Sequence, residues 1–161
     1  MPVVSNTTPL NYLVLINEVA VLHEVYGRIV IPQAVIDELQ HDETPAIVRQ
    51  WIANHPEWLE VRQVSIAHDV ALEELGAGER EAIVLAEQLG ASAVILDERA
   101  ARQEASRRGL LVTGTLGVLD KAAERGLLDL GEAFERLRQT TFRASQELYQ
   151  RFLDRDVERK R

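Results

Sequence analysis

The sequence predicts an α/β fold: a three-layer α/β/α domain around a central parallel sheet, with an extra helical segment at its C-terminal end. Three observations predict it. Short, continuous apolar runs at Ile29–Ile31, Ala93–Leu96 and Leu110–Val112 suit strands covered on both faces. Between them lie longer segments whose apolar residues recur at helical spacing. Gly27, Pro32, Gly76, Gly90 and Gly109 punctuate the junctions, where a chain changes conformation. Such alternation implies parallel strands joined by right-handed crossovers.

Val3-Val4-Ser5 opens the chain as a short strand. Asn6, Thr7 and Thr8 are capping residues, and Pro9 fits a first helical turn. Leu10, Leu13 and Val14 carry that helix; Val21, Leu22 and Val25 carry a second, ended by Gly27. Arg28–Ile31 is the next strand, and Pro32 starts a helix bearing Val35, Ile36 and Leu39. A helix over Pro45–Asn54 and an extended piece around Leu59–Val61 follow. Ser65–Leu75 is expected to be helical. Gly76-Ala77-Gly78 breaks it and opens the strongest helix, Glu79–Leu89, closed by Gly90. The strand Ala93–Leu96, the helix Glu98–Arg108, a buried strand at Leu110–Val112 and a helix from Thr115 to near Gly126 complete the alternation. Residues 1–128 are read as this domain, and 129–161 as a helical extension packed on it.

The chain has 161 residues, 46% of them hydrophobic, which is enough to bury a sizeable core. It has no cysteine, so disulfides and thiolate metal sites are excluded. No apolar run approaches the roughly 20 residues that span a bilayer, and the N-terminus lacks a secretory pattern. These features lead us to expect a cytoplasmic protein. A net charge of −8 speaks against a protein that coats nucleic acid through a basic surface. It does not exclude a divalent-cation nuclease, whose site must be acidic.

In open parallel sheets, sites form beyond the carboxyl ends of the strands. Asn6 lies just past the first strand and Asp97 just past Leu96. Glu79 falls on the face of its helix defined by Ala82, Ile83, Ala86 and Leu89, whereas Glu81 points well away from it. Each acid alone has an ordinary reading. Glu79 can face the positive end of its helix, Asp97 can cap the helix that follows, and Glu38 and Asp37 can be solvated surface. The constellation carries more weight than its members.

Five segments lie in order: Ser5-Asn6-Thr7-Thr8-Pro9-Leu10, Ile31 to Leu39, Gly76 to Ile83, Ile95 to Arg102, and Val112 to Leu119. Together they resemble PIN domains, specifically the branch called DUF3368, over most of residues 1 to about 128. The resemblance implies a metal-dependent ribonuclease, often the toxin of a toxin–antitoxin pair, with an RNA substrate, an antitoxin partner and a homodimeric state. It implies Mg²⁺ or Mn²⁺ held by Asn6, Glu38, Glu79 and Asp97, residues that would also be catalytic. Hard oxygen ligands suit such ions. Thr7, Thr8 and Thr115 would orient water or phosphate, with helix capping as their alternative task. Arg80, Arg99 and Arg102 would contact the RNA backbone, with surface ion pairing as theirs. Asn6 departs from the family, which generally places an aspartate there; an amide oxygen ligates a cation but brings no charge.

Two other readings stay open. A degenerate PIN domain would bind nucleic acid or a protein partner without cleaving. A receiver-like domain would use Asp97 as phosphoacceptor, but it needs an aspartate at position 6 and a suitably placed late lysine. In the tail, Leu148, Phe152 and Leu153, with Phe142 and Tyr149 nearby, suit either a helix on the domain's own core or an interface with a partner. Asp154–Arg161 is expected to be a solvated, fraying end.

Overall fold

Val4 sits at the middle of the sheet, paired with Val30 on one side and Val94 on the other. The computed structural model describes residues 1–161. Its five strands are β1 (Val3–Ser5), β2 (Ile29–Pro32), β3 (Leu59–Arg62), β4 (Ala93–Ile95) and β5 (Val112–Thr113). All pairings are parallel, in the order β3-β2-β1-β4-β5. The helices are α1 (Thr7–Leu15), α2 (Ala20–Tyr26), α3 (Gln33–Leu39), α4 (Ala46–Ala53) and α5 (Ala77–Leu89), then α6 (Arg99–Arg107), α7 (Thr115–Glu124), α8 (Leu130–Arg138) and α9 (Gln146–Arg159). No helix is long and apolar enough to cross a membrane.

The apolar runs read as buried strands because both faces of the sheet are covered. Successive strand residues point to opposite faces, and the core divides accordingly. Val3, Ile29, Ile31 and Ile95 join a large cluster with residues of α1–α4, α7, α8 and α9. Val4, Val30, Val94 and Leu96 join a smaller one with Ala82, Ile83 and Ala86 of α5 and Ala101 and Ala105 of α6. Small residues on α5 and α6 bring those helices close to the sheet.

Strand order reverses between β1 and β4, so the connections leaving them diverge. The crevice this opens beyond the strand ends is where ligands bind in open α/β sheets. The Asn6 backbone N–H donates to Ile95 O at 3.0 Å, which locks the two strand ends side by side.

Several sequence expectations are corrected. Ser65–Leu75 is not a helix: only Val70–Leu72 forms a single 3₁₀ turn, capped by Asp69, whose carboxylate accepts from Ala71 N. Of that segment only Leu72 is buried, too little apolar surface to hold a helix. The last strand begins at Val112, two residues later than expected, and it is an edge strand. Leu111 remains 73% exposed, because β5 has a neighbour on one side only.

The tail differs most. Asp156 is buried and accepts from Arg159 at 2.9 Å, while Arg155 and Arg159 both donate to the buried Asp120 of α7, each at 2.9 Å. The rest of this run of mixed charge is exposed, as expected, but through Asp120 its arginines pin α9 to α7. Phe134 of α8 meets Tyr149 and Phe152 edge-on, with ring centroids 5.1 and 6.3 Å apart. Leu148, Phe152 and Leu153 pack against the large cluster. On the other side of the sheet, Arg108 donates to Glu104, Glu87 and Asp69, which ties the end of α6 to α5 and to the 3₁₀ turn.

Candidate active site at the strand ends

Asn6 occupies the N-cap of α1 but does not cap it. Its Oδ1 is buried without a hydrogen-bond partner. Such a group costs about 1–3 kcal/mol when left unsatisfied, so its retention needs a reason beyond folding. Gly78, in the first turn of α5, packs against it. A Cβ at Gly78 would lie 2.8 Å from Asn6 Oδ1 and 2.5 Å from Glu38 Oε1. Only glycine lets α5 approach these two side chains so closely.

Glu38 is held on both sides. Gly78 N–H donates to its Oε2 at 3.0 Å, and Thr7 Oγ1 donates to its Oε1. Glu79 turns back on its own helix: Gly76 N–H donates to its Oε1 at 3.0 Å, as in a capping box. Its Oε2 is buried and unpartnered. Burial raises the Glu79 pKa against the Gly76 N–H, which lowers it; the charges of Glu98 and Glu38 raise it further.

Asp97 lies beyond β4 and binds the start of α7. Thr115 donates to it twice, from N–H at 2.8 Å and from Oγ1 at 2.6 Å. Burial pushes the Asp97 pKa up, while the Thr115 hydrogen bonds and the nearby Arg102 guanidinium pull it down. Arg102 Nη1 donates to Leu96 O at 2.9 Å. Gly114 leaves room for this, since a Cβ there would lie 2.8 Å from both Arg102 Nη1 and Asp97 Oδ1.

The structure therefore brings Asn6, Thr7, Glu38 and the Gly78–Glu79 corner together, with Asp97, Arg102 and Thr115 at the neighbouring strand end. The acids do not close into a group of three or more that could by itself hold a metal ion. The donors are hard oxygens, which fit Mg²⁺ or Mn²⁺ in kind, and Asn6 Oδ1 and Glu79 Oε2 have no protein partner that a cation would displace. Glu38 and Asp97 keep lone pairs beyond those they already use. Thr8 is half-buried in the first turn of α1, Arg80 is half-buried on α5, and Arg99 is exposed at the start of α6. Thr7 and Thr115 serve carboxylates rather than open solvent.

Sequence reading missed Gly78 and Gly114, which act only through what a Cβ would strike. It also missed Glu81, whose carboxylate accepts from Ala34 N–H at 3.1 Å and caps α3 from α5. A helical-period argument places Glu81 away from the sheet, and it cannot see that α3 lies on that side.

Searches of curated proteins and of solved structures give no significant match. The model of the family DUF3368, described as a PIN domain, matches residues 2–158, a span that includes α8 and most of α9. A nuclease-type α/β fold with acids gathered beyond its central strands agrees with that match, and the chain belongs to the PIN-domain family DUF3368.

Proposed function

We propose that this chain is a divalent-metal-dependent endoribonuclease of the PIN type. In this reading it acts in the cytoplasm as the toxin of a type II toxin–antitoxin pair, as a homodimer restrained by an antitoxin protein. The observation that carries the reading is the pair of buried, unpartnered oxygens, Asn6 Oδ1 and Glu79 Oε2, beside two further carboxylates at the switch point of the sheet. Asn6, Glu79 and Asp97 would hold Mg²⁺ or Mn²⁺, with Glu38 completing the set. Bound there, the ion supplies Lewis acidity, lowering the pKa of an attacking water and offsetting phosphate charge.

The chain's own groups have distinct tasks. Thr115 and Arg102 orient Asp97, and Thr7 with Gly78 N–H orients Glu38. Glu79 Oε2 has no protein partner and Asp97 keeps lone pairs beyond its Thr115 bonds, so both are suited to serve as ligands. Arg80, Arg99 and Arg102 would contact the RNA phosphates, and Thr8, in the first turn of α1, would orient water or phosphate.

A second reading, a degenerate PIN domain that binds nucleic acid or protein without cleaving, is favoured by the neutral Asn6 and by the absence of a three-acid group. Calorimetric Mn²⁺ titration separates the two. The ribonuclease reading expects wild-type binding that Asp97→Asn abolishes and Asn6→Asp tightens. Binding that emerges only in Asn6→Asp would sink it in favour of the degenerate domain.

A further inference from the structure

A groove of about 760 Å³ runs along α7, between the open edge strand β5 and the start of α9, and Asp97 and Arg102 stand at one end of it. Five cations against three acids line it, the reverse of the chain's net charge of −8. Lys121, Arg125 and Arg143 line it without an ion pair to a carboxylate, and Arg102 joins them beside Asp97. Asp120, the buried acid of the groove, is already neutralised by Arg155 and Arg159. Glu124 is exposed at the far end. Phe142, Phe152 and Tyr26 bring aromatic rings into the lining.

Cations unmatched by protein carboxylates, set around aromatic and apolar surface, form the combination that single-stranded nucleic acid uses. Phosphates meet the charges and unpaired bases meet the rings. A duplex keeps its bases stacked inside and has no use for the rings. From this charge and ring arrangement we infer that the α7–α9 groove binds a single-stranded RNA segment leading to or from Asp97, with the C-terminal helix α9 as one wall. The inference rests on the ribonuclease reading for its direction but not for its test, which measures binding without cleavage.

The test is fluorescence anisotropy of a labelled single-stranded RNA of about 12 nucleotides, within the span such grooves cover, in EDTA over a range of salt. Wild-type protein is expected to bind it. The Lys121→Gln/Arg143→Gln double variant is expected to bind at least about tenfold more weakly, with a salt slope lower by about 1.4, from about 0.7 per lost phosphate contact. Arg62→Gln, on the opposite edge strand, is expected to stay within twofold of wild type.

Wild-type failure to bind, unchanged affinity in the double variant, or equal affinity for a duplex of the same sequence each overturns the groove. Displacement of the RNA by oligo-glutamate at lower concentration overturns it in favour of an acidic protein segment. The two readings fail separately. Groove-dependent binding without metal-dependent cleavage defeats the ribonuclease and leaves the groove standing. Cleavage with unchanged KM in the double variant does the reverse.

Discussion

Gly78 N–H donates to Glu38 Oε2 at 3.0 Å across 40 residues of sequence, and the missing side chain of Gly78 is what lets Glu38 and Asn6 crowd against the start of α5. The contact joins α3 to α5 at the point where the candidate active site is built. It makes the glycine as much a part of that site as the acid.

Gly78→Ala is therefore expected to destabilise the protein. Overpacking costs about 1–3 kcal/mol, against at most about 1 kcal/mol gained from helix propensity. Thermal unfolding should show a Tm lower by several degrees. In a Glu38→Ala background the same substitution is expected to cost less, because the closest oxygen it would strike has gone and only Asn6 Oδ1 still crowds it. Additive effects in that double-mutant cycle would refute the contact.

Asp97→Asn and Glu79→Gln are expected to raise stability while lowering metal-dependent cleavage. Both carboxylates have raised pKa values in the folded protein, with burial as the largest cause. A folded pKa above the unfolded value, near 4 for an ordinary carboxylate, means that ionisation works against folding as pH rises through that window. The stabilisation should show at pH 7 in metal-free buffer and vanish below about pH 4. Melting curves of both variants at the two pH values check it, and a lower Tm at pH 7 contradicts it.

Glu104 has the opposite sign. Hydrogen bonds from Arg107 and then Arg108 outweigh burial and hold its pKa down at about 2. Its contribution is complete above the ordinary glutamate value of about 4.3 and is lost as pH falls toward 2. Glu104→Gln is expected to flatten the acid limb of the stability curve and leave its neutral part lower. Urea unfolding between pH 2 and 7 provides the measurement.

Asp120→Asn is expected to loosen α9. It weakens charge-assisted bonds to Arg155 and Arg159, bonds worth about 1.5–3 kcal/mol. The lower end applies here, since the Arg155 side chain is 60% exposed. Hydrogen exchange should rise across residues 146–159 before it rises in the sheet. Truncation after Thr141 removes Tyr149 and Phe152 from Phe134 and is expected to yield an unstable chain rather than a smaller folded one; a folded, truncated domain would show that 129–161 is a dispensable extension.

How much of this was legible in the sequence depends on the range of the interaction. The strands at Val3–Ser5, Ile29–Ile31 and Ala93–Leu96, the helices between them, and the positions of Asn6 and Asp97 at strand ends follow from periodicity and from glycine and proline, which act over a few residues. The Ser65–Leu75 segment misled because its composition permits a helix, and only the absence of a core to pack against forbids it. The charged tail misled because Asp156 and Arg159 look solvated until Asp120 is placed beside them. Tertiary structure alone decided that Asn6 leaves its cap oxygen free, that Gly78 and Gly114 make room for Glu38 and Arg102, and that Glu81 caps a helix not its own. Each of these depends on atoms brought within a few ångströms by packing, between residues that local pattern cannot relate.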